Sequence, residues 1–571
     1  MTPGGRVNTL DPALTADLVS ASMVGEIYDT PLEYDYVKRP YRLKPSMLDR
    51  MPESNGEMTV FRFHLRDDLF FQPDKCFGVD SSGRPKKRRV VARDMAFSIL
   101  RLADERNHSP GYWLIRGKIK GIGAFRAATA ESAPWDFSPY DAGCEGIRVL
   151  DDRTLEIRLE KPDPRFLYAF AMPYMSVAPR EAVEAYRGDF SSHPVGSGPF
   201  RLVEWRRGYK LEFERNPDFR TEYFRDAENP ADRSRKLPLL ERVVCPQVNE
   251  PVTAWLMFLR GDLDMNSVDK DSFDAVVAEG GGIAPALAAR GVRMIRSPKM
   301  QIYYIGFCFA DPLLAENADL RKAISLAYDV RKRVEFFNDC VIPANGPIPE
   351  GVAGYDPDFR NPYGRRNVEL ARKYLAKAGF PGGVDPKTGR RLKLTLDFGG
   401  TSATFHQLAE MFVEDMSAIG VEIVPILNNW PNFLKKSAEG RVRLYCVSWV
   451  ADYPDAENFL QLFYGPNAGS CNRSYFRDPV YDKMFDEIKT MPDTPERSAK
   501  YAEMAKYLVE RCPWIFSHYP VSYRLSQGWV ENYRPHDFCF SRWKYLNVDT
   551  KRRSELRRSF KPLSMKELRS K

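Results

Sequence analysis

Between Leu392 and Leu427 the period of the apolar residues changes twice. Leu392 to Phe398 reads as a strand, Ala403 to Ile419 as a helix that stops at Gly420, and Val421 to Leu427 as a second strand. Strand, helix and strand in direct succession make a βαβ unit, which commits this part of the chain to an α/β domain. The apolar run Tyr445 to Val450 follows as a candidate buried strand. Upstream, Leu320, Ala323, Ile324 and Ala327 recur at helical spacing, and Val368, Ala371, Leu375 and Ala378 do the same before Gly379 and Pro381 end that helix.

The first half has a different character. Phe61 to Arg66 and Leu155 to Leu159 alternate strictly, as half-buried strands do, and Ala92 to Leu102 reads as a helix with Phe97, Ile99 and Leu100 on or near one face. Pro194 to Phe200 is dense in turn residues, and the alternating runs Phe200 to Trp205 and Tyr209 to Phe213 predict a hairpin about Arg207-Gly208. After Leu10-Asp11-Pro12, a turn former, Leu18, Ser22, Val24 and Ile27 mark an amphipathic run leading to Tyr28-Asp29.

A chain of 571 residues has room for about three or four domains. Its mean hydropathy is -0.45, and no stretch reaches the roughly 18 uninterrupted apolar residues that a spanning helix requires. The formal charge is +8, and Lys551 to Lys571 alone holds nine Lys/Arg against Glu555 and Glu567. That tail therefore carries +7 and the other 550 residues about +1. A near-neutral body lacks the broad basic face of a nucleic-acid reader, so no nucleic-acid partner is expected, and the tail reads as a solvated or membrane-grazing appendage.

Chemistry-bearing motifs are sparse. The nine cysteines lie far apart with no C-x-x-C pair, which predicts zero or one disulfide, and the six histidines never pair at metal-ligand spacing. No metal and no cofactor is expected. Pro85-Lys86-Lys87-Arg88-Arg89-Val90 looks like an anion patch but sits between a strand and a helix, where a solvated loop is the default. Asp262-Leu263-Asp264-Met265-Asn266 opens like a calcium loop, yet Ser267 stands where Gly is needed and Phe273 where Glu should chelate. No phosphate-binding loop, dinucleotide fingerprint or nucleophile elbow occurs, so an enzyme has no positive support.

Val447 to Asp455 is more specific. A strand ends in Trp449, Asp452 follows three positions later, Tyr453 sits beside it and Pro454 breaks the chain. This places a carboxylate and an aromatic at the mouth of an α/β sheet, where ligands bind. The plainer reading is a buried Trp with Asp452 capping the next helix.

Order along the whole chain extends this. Leu10-Asp11-Pro12, Ile27 to Leu32, Phe63 to Leu69, Ala92-Arg93-Asp94, Val149 to Thr154 and Gly196-Ser197-Gly198-Pro199-Phe200 come in turn. Glu214 to Phe219, Gly261 to Asp264, Leu320 to Ile324 with Asp329, Ala371 to Gly379 and Trp449 to Phe459 complete the series. In this order the chain resembles the family 5 extracellular solute-binding proteins, the oligopeptide and dipeptide receptors of bacterial ABC importers. The resemblance implies a type II periplasmic-binding-protein fold of two lobes and three domains. The first domain would be discontinuous (about 1–44, 186–298 and 521–571), the second would span 45–185, and the third, 299–520, would form the other lobe. It implies a monomer that takes a peptide ligand into the cleft and hands it to a permease in the inner membrane. Ligand contacts fall to Asp452, for the α-amino group, with Trp449 and Tyr453, and to the facing strip Thr15 to Leu18, including Asp17 and Leu18. The same fold also serves receptors for sugars, opines, haem or nickel, and an α/β hydrolase-like enzyme is the alternative from another class.

The resemblance is incomplete at the ends. Only nine residues precede Leu10-Asp11-Pro12, where relatives carry a strand and an export signal, and Met1-Thr2-Pro3-Gly4-Gly5 has neither the basic nor the apolar region of one. Taken literally this start means cytoplasm; the resemblance instead predicts a periplasmic or lipid-anchored protein whose signal lies upstream. Ser197 replaces the usual Thr of the Gly-Thr-Gly-Pro motif, and the tail beyond Leu546 is longer and more basic than usual.

Overall fold

The computed structural model describes residues 6–248, 250–268, 272–278, 281–558, 563 and 567. The chain divides into two compact units, Met1–Ile295 with Arg524–Lys571, and Arg296–Tyr523.

In the first unit, Leu18–Ile27 forms helix α1, and its Val24 and Ile27 enter a core with Val195, Phe200, Phe213 and Trp543. Val60–His64 (β1) and Thr154–Arg158 (β2) pair antiparallel at the centre of a four-stranded sheet, with Phe63 opposite Leu155. Strict alternation puts Phe61 and Phe63 inside and Arg62 outside. Ala92–Ala103 (α2) packs beside this sheet. Asp94, three residues inside α2, accepts the Val91 N–H at 2.9 Å and holds Arg88 through two hydrogen bonds of 2.8 and 3.0 Å. Lys87 meanwhile meets Asp218. The basic run at 86–89 stays largely exposed, as a solvated loop does, but Lys87 and Arg88 are spent on ion pairs within the fold.

Phe200–Arg206 (β3) and Lys210–Arg215 (β4) form the predicted hairpin, turning at Gly208, whose φ of 75° is open to Gly without strain. Arg242–Pro246 (β5) adds a third strand to β4. A buried ionic network closes this unit. Lys544, fully buried, lies 2.8 Å from Glu33 and 3.0 Å from Glu222, while Arg220 meets Asp29 at 2.5 Å and Glu222 at 2.8 Å. Each buried charge has an opposite partner, the condition under which burial is tolerated.

The second unit is built on a mixed sheet. Gln301–Phe307 (β6) runs antiparallel to Leu444–Val450 further along the chain. Ala318–Ala327 (α3) and Val368–Lys377 (α4) pack on one another through the apolar positions read from the sequence. Lys393–Phe398 (β7), Ala403–Ser417 (α5) and Glu422–Leu427 (β8) form the βαβ unit, with β7 and β8 parallel and in register Leu394 to Ile423. Leu444–Val450 (β9) pairs parallel to β7, so the sheet order is β8, β7, β9, β6. Glu457–Leu460 (α6) and Pro495–Arg511 (α7) follow, and Trp514–Ser526 (β10) returns beside β6. The last three residues of β10 belong to the first unit and pair with Met265–Ser267. Thr550–Arg558 (α8) is an exposed helix of the first unit.

All nine cysteines are free thiols. Among the described residues no helix is long and apolar enough to cross a membrane.

Candidate ligand-binding site

Trp449 lies near the end of β9, opposite Ile302 of β6, and the chain leaves the sheet two residues later. In the segment Ala451 to Ala456 that follows, Asp452 is held by one side chain. Asn458, fully buried in α6, accepts the Trp449 indole N–H at 2.9 Å and the Asp452 backbone N–H at 3.1 Å through Oδ1, and donates from Nδ2 to Asp452 Oδ2 at 3.1 Å. One amide therefore fixes the aromatic and the carboxylate together. Tyr453 extends the cluster by donating its hydroxyl to Glu457.

Two carboxylates three residues apart have opposite surroundings. Asp455 is buried and fully engaged: it accepts the Glu457 N–H at 2.9 Å and the Tyr501 hydroxyl at 2.6 Å and pairs with Arg497 at 3.0 Å. Asp452 meets no cation among the described residues and receives a single side-chain hydrogen bond, the one from Asn458. Burial pushes its carboxyl up to about 6, and the Asn458 amide offsets only part of that. The helix-capping reading of Asp452 does not hold, because Asp455 takes the first free N–H of α6. What remains is a partly buried carboxylate supported by a neutral donor, an arrangement that gains most from a cation.

The other predicted contacts lie in the first unit. Thr15 is buried and donates its hydroxyl to the Asp11 carbonyl at 2.9 Å. Asp17 caps α1 by accepting from Ser20 N at 2.8 Å and Ser20 Oγ at 2.9 Å, and also accepts from Asn8 Nδ2 at 3.0 Å. Leu18 is 61% exposed. The side chains of Thr15 and Asp17 thus serve the local fold. The backbone at Thr15 and Asp17 is extended, and the N–H groups of residues 15 to 17 donate to no other backbone group among the described residues. A strand of backbone with free donors is the surface on which an extended peptide can pair.

The structure thus ties Trp449 and Asp452 together through Asn458 and bonds the adjacent Tyr453 to Glu457, while Thr15 bonds to Asp11 and Asp17 to Ser20 and Asn8. Sequence reasoning missed Asn458. Its only signal was an Asn six residues after Asp452, inside the motif Trp449 to Phe459. Among the described residues no group of three or more His, Cys, Asp or Glu is placed to hold a metal ion.

Comparison with known proteins follows the same line. The chain is 22% identical to heme-binding protein A of Haemophilus influenzae over 92% of its own length and 87% of that protein. It is 25% identical to the periplasmic oligopeptide-binding protein OppA of Salmonella typhimurium over 94% and 89% of the two chains. Among solved structures, the periplasmic binding protein DppA of Helicobacter pylori in complex with the peptide STSA superposes with a TM-score of 0.71 at 20% identity, covering 96% of this chain and 97% of that one. That likeness shows the type II binding-protein fold. The model of the bacterial extracellular solute-binding proteins, family 5, middle region, matches residues 42–471, and this chain belongs to that family.

Proposed function

We propose that this protein is the receptor of an ABC importer that captures peptides by their free amino terminus, with Asp452 receiving the ammonium group and Trp449 and Tyr453 forming the wall beside it. The observation that carries the reading is the contrast between Asp455, paired with Arg497, and Asp452, which has no cation among the described residues. The extended backbone of Thr15 to Asp17 supports the second half of the reading, in which the peptide main chain is held as an added strand. Relatives named for oligopeptides and for murein peptide support peptide cargo, and their periplasmic names support a site of action outside the inner membrane, where a permease would take the cargo over. In this reading the protein binds and releases without chemistry, acts as a monomer, and its first unit divides further into a discontinuous domain and an inserted one at 45–185.

Calorimetric titration of the wild type and Asp452→Asn with one peptide, free and N-acetylated, tests the anchor. Removing one partner of a desolvated charge pair commonly costs ~2–5 kcal/mol, so the variant should bind the free peptide about thirty-fold or more weakly and treat the acetylated one as before. Equal affinity of both proteins for the free peptide would defeat the reading. Mass spectrometry of the ligand that copurifies with the protein gives the cargo class directly.

A further inference from the structure

Helix α8 carries five cations, Lys551, Arg552, Arg553, Arg557 and Arg558, against one acid, Glu555. One side of it is fixed to the first unit. Asp549 accepts the Arg552 N–H at 2.9 Å, Leu556 packs against the buried core, and Arg553 and Arg557 each lie 3.8 Å from an acid, Asp264 and Asp262. The other side is exposed and holds Lys551, Arg552, Ser554, Glu555 and Arg558. Lys551, Arg552 and Arg558 make no ion pair among the described residues, and no apolar side chain stands between them. Beyond the helix the sequence adds Lys561, Lys566, Arg569 and Lys571 against Glu567. The remaining 550 residues carry about +1, so nearly all of the surplus charge lies in the last 21 residues of the sequence.

We infer that the outer face of α8 is a docking surface for anionic phospholipid headgroups. A helix clamped along one side presents its cations at fixed positions. A negatively charged bilayer attracts each Lys or Arg held near its surface, and such contributions accumulate over the three cations of the outer face. With no apolar residue on the outer face, the contact is electrostatic, lies on the headgroups without insertion, and weakens as salt screens it. A nucleic acid would meet one short helix and an otherwise near-neutral body, not the broad basic face that such partners need. This surface shares no residue with the Asp452 cluster and does not depend on what that cluster binds.

The test is cosedimentation of the full chain with vesicles of phosphatidylcholine alone and with vesicles containing about a third phosphatidylglycerol, at low and at raised salt. The expected result is a preference of at least about tenfold for the anionic vesicles, lost at about 0.5 M salt. Replacing Lys551→Gln, Arg552→Gln and Arg558→Gln together should weaken partitioning by about a hundredfold. Glu555→Lys, which adds charge to the same face, should strengthen it, so a defect in folding of the triple variant cannot mimic both results. Equal partitioning onto the two vesicle types, no response to either variant, or tighter binding to a DNA duplex than to the anionic vesicles would each overturn the assignment.

Discussion

Arg101 and Asp11 form a buried two-pronged ion pair, with Nη1 2.8 Å from Oδ1 and Nη2 2.7 Å from Oδ2. Arg101 stands in the last turn of α2, and Asp11 opens a tight turn by accepting the Ala13 N–H at 3.0 Å. Ninety residues of chain are closed by this contact. Both residues are 5% exposed or less, so removing one strands the other's charge out of water. Arg101→Met should therefore lower unfolding free energy by ~3–5 kcal/mol in urea titration, with the m-value unchanged. A loss below about 1 kcal/mol would mean that the pair is screened like a surface one.

The Gly196-Ser197-Gly198 motif has an equally local cause. A Cβ on Gly196 would fall on the Ile27 carbonyl oxygen, and one on Gly198 would lie 2.5 Å from the Ile27 carbonyl carbon. Gly198 N–H also donates to that carbonyl oxygen at 2.8 Å, so the segment cannot back away without losing the bond. Overpacking against backbone cannot be relieved by a rotamer change. Gly196→Ala and Gly198→Ala should each cost about 1–3 kcal/mol or more, whereas Ser197→Thr, which adds its methyl beside a Ser197–Asp29 hydrogen bond of 3.2 Å, should cost less than either. Thermal melting of the three variants decides the order.

Where periodicity was strong the fold was legible. The βαβ unit, the Arg207-Gly208 hairpin and helices α2, α3 and α4 all appear within a few residues of where spacing put them, because each buries one regular face. The glycine motif was visible as a turn, but its contact with Ile27 was not, since that depends on a segment 169 residues away folding back. The candidate Trp449–Asp452–Asn458 cluster was half legible. Trp449 and Asp452 could be named from the pattern of strand, acid and proline, while Asn458, which binds both, looked like any polar residue in a short helix. Nothing in the order of residues says which carboxylate a distant Arg497 will neutralise, and that choice is what separates Asp455 from Asp452.

Asn458 makes the strongest prediction about architecture. Leu is close to it in size but can neither accept from the Trp449 indole and the Asp452 N–H nor donate to the Asp452 carboxylate. Leaving such groups unpaired costs ~1–3 kcal/mol each where they are buried, so Asn458→Leu should lower stability by at least about 2 kcal/mol. It should also loosen Trp449 and Asp452 at once. In the proposed function the free-amine peptide then loses affinity in Asn458→Leu as it does in Asp452→Asn, although Asn458 itself need not touch the ligand. Calorimetry that finds full affinity in Asn458→Leu would show that the hub is not needed to position Asp452.

The pH dependence of binding follows from the same carboxylate. Burial holds the Asp452 carboxyl at about 6, above its ordinary value of 3.8, so the folded protein binds this proton more tightly than the unfolded chain does. The stabilising contribution is then fully present below about pH 4 and is lost as pH rises through 6, which makes the ligand-free protein less stable at neutral pH than this group would allow in acid. A ligand ammonium reverses the balance, because it pairs only with the ionised form. Affinity for a free-amine peptide should be at its full value above about pH 7 and fall by about tenfold near pH 5, where only about a tenth of the carboxyl is ionised. Binding near pH 6 should also release a fraction of a proton, seen as a dependence of the calorimetric heat on the buffer's ionisation enthalpy. An N-acetylated peptide supplies no cation and should show neither effect, and Asp452→Asn should flatten the profile of the free peptide. If the two peptides follow one pH profile, or if the variant keeps the wild-type slope, the group that titrates is not Asp452.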